Sequence, residues 1–224
     1  MDAARLFVGL PLPPVLRDGL AALRRVLEPL SPVPCAWTRP GEWHLTLKFL
    51  GDTPLERIPS LKAALEGVAW EAFTLRPGGA GTFPERGAPR VLWAGLALGG
   101  PECAALARAV KQALAPLGFA PEARAFAAHL TVARAKGAAP SAAWRPALEA
   151  LEAARWEAVR MERMVLWRSY AAGRGAVSVG PVRHGAVGGG GTQGVVPGVG
   201  AGSAGGSRPP GPRHVPLWEG GAPG

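Results

Sequence analysis

Cysteine is scarce in this chain: two in 224 residues, Cys35 and Cys103, with no CxxC spacing. That argues against a disulfide framework and makes a reducing, cytoplasmic compartment the expectation. Long uncharged apolar runs are missing too, so no membrane-spanning segment is expected. The opening MDAARLFVGLPLPPVL carries Asp2 and is broken by Pro11, Pro13 and Pro14, which does not suit a secretory leader. Lysine is rare as well: 21 of the 25 basic residues are Arg, and the formal net charge is +9. A positive field draws polyanions such as RNA. The same arginine bias, in a chain full of Ala, Gly and Pro, also fits GC-rich coding.

The final 40 residues break from the rest in composition. Residues 185–224 hold 15 Gly and 6 Pro, too little apolar surface to offset the entropy of ordering. They are expected to be a disordered tail: a linker, a binding segment or a coding-frame accident. Arg208, Arg213 and Glu219 leave that tail at +1, so +8 belongs to residues 1–184. Those 184 residues can bury a sizeable core. They are expected to form one domain and to function as a monomer.

Periodicity within that domain gives strands at Leu6–Leu10, His44–Leu50 and Ala72–Arg76. Helices fall at about 14–29 (Val15, Leu16, Leu20, Leu23 and Leu27 on one side) and about 55–69. The pattern then recurs: strand Val91–Leu98, helix 103–117, strand Leu130–Arg134, helix 141–154 with Ser141 as N-cap, and a long strand Val159–Arg168. A weaker strand is expected over Ala176–Val179. The two halves match in length, with 37 residues from Phe7 to His44 and 38 from Val91 to His129. The expected architecture is therefore α+β. Two pseudo-symmetric lobes, about 1–85 and 86–184, each carry an antiparallel-type sheet with flanking helices around a central cleft.

In both halves the middle strand opens with the same tripeptide: His44-Leu45-Thr46 and His129-Leu130-Thr131. Alternation in a strand puts imidazole and hydroxyl on one face and an apolar anchor on the other. One such motif is more easily an accident of a half-buried strand. Two, at matching places in a repeat, point to a pair. Imidazole, with an unperturbed pKa of about 6.5, suits both general base and general acid. Two threonine hydroxyls suit the non-bridging oxygens of a phosphate. Neither motif supplies a neighbouring carboxylate or thiol for a metal, so no metal or other cofactor is expected.

At this point the sequence resembles a known family, the 2H phosphoesterase superfamily, and within it the bacterial and archaeal RNA 2',3'-cyclic phosphodiesterases, also called 2'-5' RNA ligases. The stretches that carry the resemblance are RLFVGLPLP at 5–13, HLTLKFLGD at 44–52, PRVLWAGL at 89–96, LGFAPEARAFAAHLTVAR at 117–134 and VLWRS at 165–169. The resemblance implies a bilobal fold, RNA with a 2',3'-cyclic phosphate end as partner, and hydrolysis to a 2'-phosphate. It also implies His44 as proton donor and His129 as proton acceptor. Thr46 and Thr131 then hold the phosphate. Ligation of the cyclic end to a 5'-hydroxyl, and RNA binding without catalysis, stay open as alternatives.

The remaining candidates are weaker. Arg134 recurs in the family and could contact RNA, but strict alternation turns it away from His129. Lys48 shares the expected face of His44 and Thr46, and Arg90 sits near a Gly/Pro-rich turn with Arg86. Trp43 and Phe126 could stack on a base, although core packing suits each better. His184 and His214 lie outside the repeat and read as incidental.

Overall fold

The computed structural model describes residues 2–120, 125–169 and 214–222. Along them run β1 (Ala3–Pro11), α1 (Pro14–Leu27), β2 (Cys35–Trp37), β3 (His44–Pro54), α2 (Ile58–Glu66), β4 (Phe73–Phe83) and β5 (Val91–Leu98). Then come α3 (Gly100–Leu114), β6 (Leu130–Ala135), α4 (Arg145–Glu152), β7 (Val159–Met161), β8 (Arg163–Ser169) and β9 (His214–Gly221). Each helix carries a proline in its first two positions (Pro14, Pro59, Pro101 and Pro146). There the missing N–H forfeits no intrahelical bond. Leu16, Leu20 and Leu27 of α1 are buried, whereas Val15 turns to solvent. Ser141 opens a 3-10 turn ahead of α4 and donates to the Gly87 carbonyl at 2.9 Å, so it does not act as the expected helix cap.

The strands form one antiparallel sheet in the order β7-β4-β5-β6-β3-β1-β8-β9, with β2 beside β6. Between β6 and β3 the ladder thins to a single pair, Leu45 opposite Leu130, both fully buried. These are the middle residues of the two His-Leu-Thr motifs. Counting outward from that seam, β3, β1 and β8 on one side mirror β6, β5 and β4 on the other. The seam is therefore where the pseudo-twofold relation passes through the sheet. Helices cover one face, α1 against α4 and α2 against α3. A continuous apolar core from Ala4 to Trp218 lies beneath them.

The lobes are not consecutive halves of the chain. β4 belongs to the first half of the sequence yet pairs with β5 and β7, while β8, from the second half, pairs with β1. Each half sends its last strand into the other lobe. The stretch expected as one strand over Val159–Arg168 divides at Glu162 for this reason: β7 pairs with β4 and β8 with β1. The expected tail needs correction as well, because His214–Gly221 is a strand hydrogen-bonded along β8, with Trp218 buried and its indole N–H donating to Glu66. An edge strand can draw Gly- and Pro-rich sequence into a ladder that local propensity would not form. The rest of that tail, 185–213 and 223–224, and the weak strand expected at Ala176–Val179 lie outside the described residues.

Beside the seam, β1 approaches β3 so closely that only glycine fits: a Cβ on Gly9 would stand 2.5 Å from the Leu45 carbonyl oxygen. Gly9→Ala must push the two strands apart, an overpacking expected to cost about 1–3 kcal/mol and several degrees of Tm. Gly41→Ala is the control, since nothing lies within 4 Å of the added methyl. Equal thermal unfolding of the two variants would refute the tight seam.

Candidate active site

Two histidines face one cavity of about 700 Å³, lined among others by His44, Thr46, His129, Thr131, Arg134 and His214. His44 opens β3, and His129 directly precedes β6. The antiparallel register through Leu45 and Leu130, carried one step either way, sets His44 across from Thr131 and Thr46 across from His129. Each histidine therefore stands across the seam from the hydroxyl of the other lobe.

Both imidazoles are held the same way. His44 Nδ1 bonds the carbonyl of Glu42 at 2.7 Å, and His129 Nδ1 bonds that of Ala127 at 2.8 Å, each two residues upstream. A carbonyl only accepts, so in both rings Nδ1 carries the hydrogen and Nε2 is the atom free to exchange a proton. The exchanged strands wall the rings. Trp167 of β8 lies 5.4 Å from His44, and Phe83 of β4 stands edge-on 5.1 Å from His129. Phe7, 4.5 Å from His44, and Trp93, 6.2 Å from His129, complete the two walls.

Apolar walls favour the neutral ring. Burial, then the charge of His214, pushes His44 down to about 4. Burial also lowers His129 from 6.5, with the charge of Arg134 acting the same way and the Ala127 carbonyl opposing. In the free protein both rings are therefore neutral at pH 7. The thiols are poor candidates for nucleophiles, since burial raises Cys35 and pushes Cys103 up to about 12. Among the described residues, no three His, Cys, Asp or Glu side chains converge in a way that could hold a metal ion.

Strict alternation misplaces two candidates, and one backbone feature explains both. On β3 the pairing to β1 skips Leu47 (Val8 opposite Lys48, Gly9 opposite Thr46). On β6 the pairing to β5 skips Val132 (Leu92 opposite Ala133, Trp93 opposite Thr131). Each motif thus ends in a β-bulge, and one extra residue reverses the faces beyond it. Lys48, expected at the cleft rim, is 2% exposed, and its ammonium donates to the Ala120 carbonyl at 2.9 Å. Phe49 takes the cleft face in its place, 63% exposed. Arg134, expected to turn away, lines the cavity instead. Thr38, just after β2, braces the second bulge: its N–H donates to the Val132 carbonyl and its hydroxyl to that of Thr131.

Other placements follow from packing. Arg90 is exposed at the foot of the β4–β5 hairpin, where its N–H donates to Phe83 and its carbonyl accepts from Ala135; it does not line the cavity. Arg86 is exposed farther out on the same hairpin. Trp43 is buried and Phe126 packs against the core. His214, read from sequence as incidental, lines the cavity, and His184 lies outside the described residues. Sequence reading also missed Phe7, Phe83, Trp93 and Trp167. Their alternation marks strands, but nothing local says which histidine an exchanged strand will meet.

Known proteins share the sequence pattern and the fold of this chain. The family described as LigT like Phosphoesterase matches over residues 10–93 and 99–177, one stretch for each His-Leu-Thr motif. The chain is 34% identical over 139 residues to an RNA 2',3'-cyclic phosphodiesterase of Archaeoglobus fulgidus, spanning 62% of this chain and 77% of that one. It is 35% identical over 146 residues to the enzyme of the same name from Geobacillus stearothermophilus, covering 62% of this chain but only 45% of the relative. Among solved structures, E. coli LigT complexed with 3'-AMP superposes with a TM-score of 0.65 at 20% identity over 99% of both chains, a likeness of fold. A protein of Thermus thermophilus superposes at 0.57 with 28% identity, over 74% of this chain and 88% of that one.

The bulges reverse the faces that alternation gives to Lys48 and Arg134. Lys48→Ala removes a buried side chain and its charged hydrogen bond to the Ala120 carbonyl and should cost about 1.5–3 kcal/mol of stability, leaving phosphate binding intact. Arg134→Ala should leave Tm nearly unchanged and weaken binding of inorganic phosphate. Thermal unfolding and a phosphate titration followed by NMR read both effects, and the reverse pattern would refute the bulge assignment.

Proposed function

The chain belongs to the LigT-like phosphoesterase family, and on that premise we propose that it hydrolyses RNA 2',3'-cyclic phosphodiester ends to 2'-phosphomonoesters without a metal. The observation that carries this reading is the pair of Nε2 atoms, each fixed through its Nδ1–H to an upstream carbonyl and directed to one cavity with two threonine hydroxyls. The names of the relatives from Archaeoglobus fulgidus and Geobacillus stearothermophilus support the choice of substrate. So does the basic charge of the chain, which attracts an RNA end.

In this reaction His129 Nε2 takes a proton from water as the water oxygen bonds to phosphorus. The bond from phosphorus to the ribose 3'-oxygen breaks, and His44 Nε2–H protonates the departing oxygen. The products are a 2'-phosphate and a 3'-hydroxyl. Thr46 and Thr131 donate to the non-bridging oxygens, and Arg134 adds positive charge at the cavity wall. The donor role of His44 comes from the family resemblance. The local environment by itself would leave a proton on His129 more readily, because His44 is the more strongly depressed of the two. The substrate reverses that bias: a phosphate anion beside His44 opposes the burial and lets the ring hold its proton.

That proton accounting sets the pH dependence. kcat/KM follows the free enzyme, whose two histidines both titrate below 6.5. It should be bell-shaped with its maximum below pH 6.5, then fall about tenfold per pH unit above it. The alkaline limb of kcat, which follows the bound complex, should lie at higher pH. A kcat/KM that is level from pH 6 to 9 would contradict the two-histidine scheme.

Replacing either histidine by alanine should lower kcat by about 10²–10⁴, roughly 3–5 kcal/mol of barrier. A short RNA with a 2',3'-cyclic end is the substrate to use, with product isomers separated and activity retained in EDTA. A 3'-phosphate product would mean the other ribose oxygen leaves, and the assigned roles would then be wrong.

A further inference from the structure

A third imidazole stands in the cleft. His214 begins β9, opposite Ser169 at the cleft end of β8, and both residues line the cavity. Its ring meets His44 at 5.2 Å between centroids and 88° between planes, and meets Phe7 at 5.1 Å and 82°. The placement is set well away from the cleft. β9 follows β8 from Gly221 opposite Arg163 to His214 opposite Ser169, and Trp218 anchors the strand by burying its indole and donating to Glu66 on α2. With the strand locked there, its first residue has to lie over the His44 ring.

We infer that His214 is a positioning residue for His44, its ring packed edge-on against the His44 ring where the C-terminal strand meets the cleft. Between them, Phe7, Trp167 and His214 confine the His44 ring, and the Glu42 carbonyl fixes its rotation. His214 is the member of that wall that can carry charge. When protonated it repels a proton on His44 and so makes His44 the stronger acid toward a departing alkoxide. It also adds positive charge to the cavity that Arg134 lines. The other charged or titratable groups around the pair, among the described residues, are Arg5 of β1, Glu42 ahead of β3, and His129 and Arg134 at β6. Arg134 and His129 add to the repulsion felt by His44, but less than His214, which is in ring contact. The other ring contacts are symmetric: Phe7 of β1 and Trp167 of β8 wall His44 as Trp93 of β5 and Phe83 of β4 wall His129. This one has no counterpart at His129 among the described residues, so it distinguishes the two histidines chemically, and it does so from a segment outside the internal repeat.

The test uses His214→Phe and His214→Gln in the full chain. Phenylalanine keeps an aromatic edge against His44 without charge, and glutamine keeps polarity without charge. The His44 imidazole is titrated by NMR in the ligand-free protein, its resonance assigned by comparison with His44→Gln. In both variants the His44 midpoint should move up from about 4 toward 6.5, because the repulsion is gone while the burial remains. If one variant fails to fold, the other decides. An unchanged midpoint in the folded variant overturns the inference. The kinetic arm rests on the proposed reaction: the acid limb of kcat/KM on a cyclic-phosphate RNA should rise by the same shift. The NMR arm needs no reaction, so a protein with the shifted midpoint that never opens the cyclic phosphate supports His214 and refutes the proposed function alone.

Discussion

One backbone contact organises this molecule: Leu45 against Leu130, the single pair that joins β3 to β6. Each leucine is the middle residue of a His-Leu-Thr motif, so its side chain enters the core while the flanking imidazole and hydroxyl turn to the opposite face. An antiparallel pair at that point sets each histidine beside the other lobe's threonine. Had the register slipped by one residue, every side chain on the slipped strand would have changed faces. The leucines resist such a slip because burying them is favourable, by about 1.5–3 kcal/mol each. The close approach of Gly9 to the Leu45 carbonyl pins the same point from the other side.

Around that seam the exchanged strands do two jobs. They tie the lobes together, since neither half of the chain completes its own sheet. They also deliver an aromatic ring to the histidine of the opposite half, Trp167 to His44 and Phe83 to His129. Such surroundings carry a cost and a use. They disfavour the charged imidazole, which is why both rings titrate low in the free protein. In the same low-dielectric setting, the field of a bound phosphate acts on them with less screening than in water. The symmetric scaffold is then broken by side chains. The bulge on β3 turns Phe49 into the cleft and the bulge on β6 turns Arg134 into it, and among the described residues His214 meets the ring of His44 and not that of His129. The cleft therefore exposes an aromatic ring, Phe49, from one motif strand and a guanidinium, Arg134, from the other.

Much of this is legible in the order of residues alone. The two motifs, their spacing, the four helices and most strands follow from periods of 3.6 and 2.0 residues. The α+β bilobal class and the family resemblance follow from the motifs in order. The failures are specific. Alternation puts Lys48 and Arg134 on the wrong faces because it assumes an unbroken ladder, and a bulge is visible only in how a neighbouring strand pairs. The lobes were drawn as consecutive halves because periodicity carries no information on strand order. His214 was set aside because its neighbourhood in sequence is Gly- and Pro-rich, and β9 exists only because β8 offers it an open edge.

What the sequence by itself determined is the chemistry: two imidazoles and two hydroxyls on alternating strands, with core anchors between them. Those properties are local, written into residue identity and spacing. Tertiary structure alone decided which groups share the cavity: Arg134 and Phe49 in, Lys48 out, Trp167 and Phe83 as walls, His214 over His44. The physical reason is that faces, edges and partners of strands are properties of pairing between distant segments, and no window along one strand contains the other.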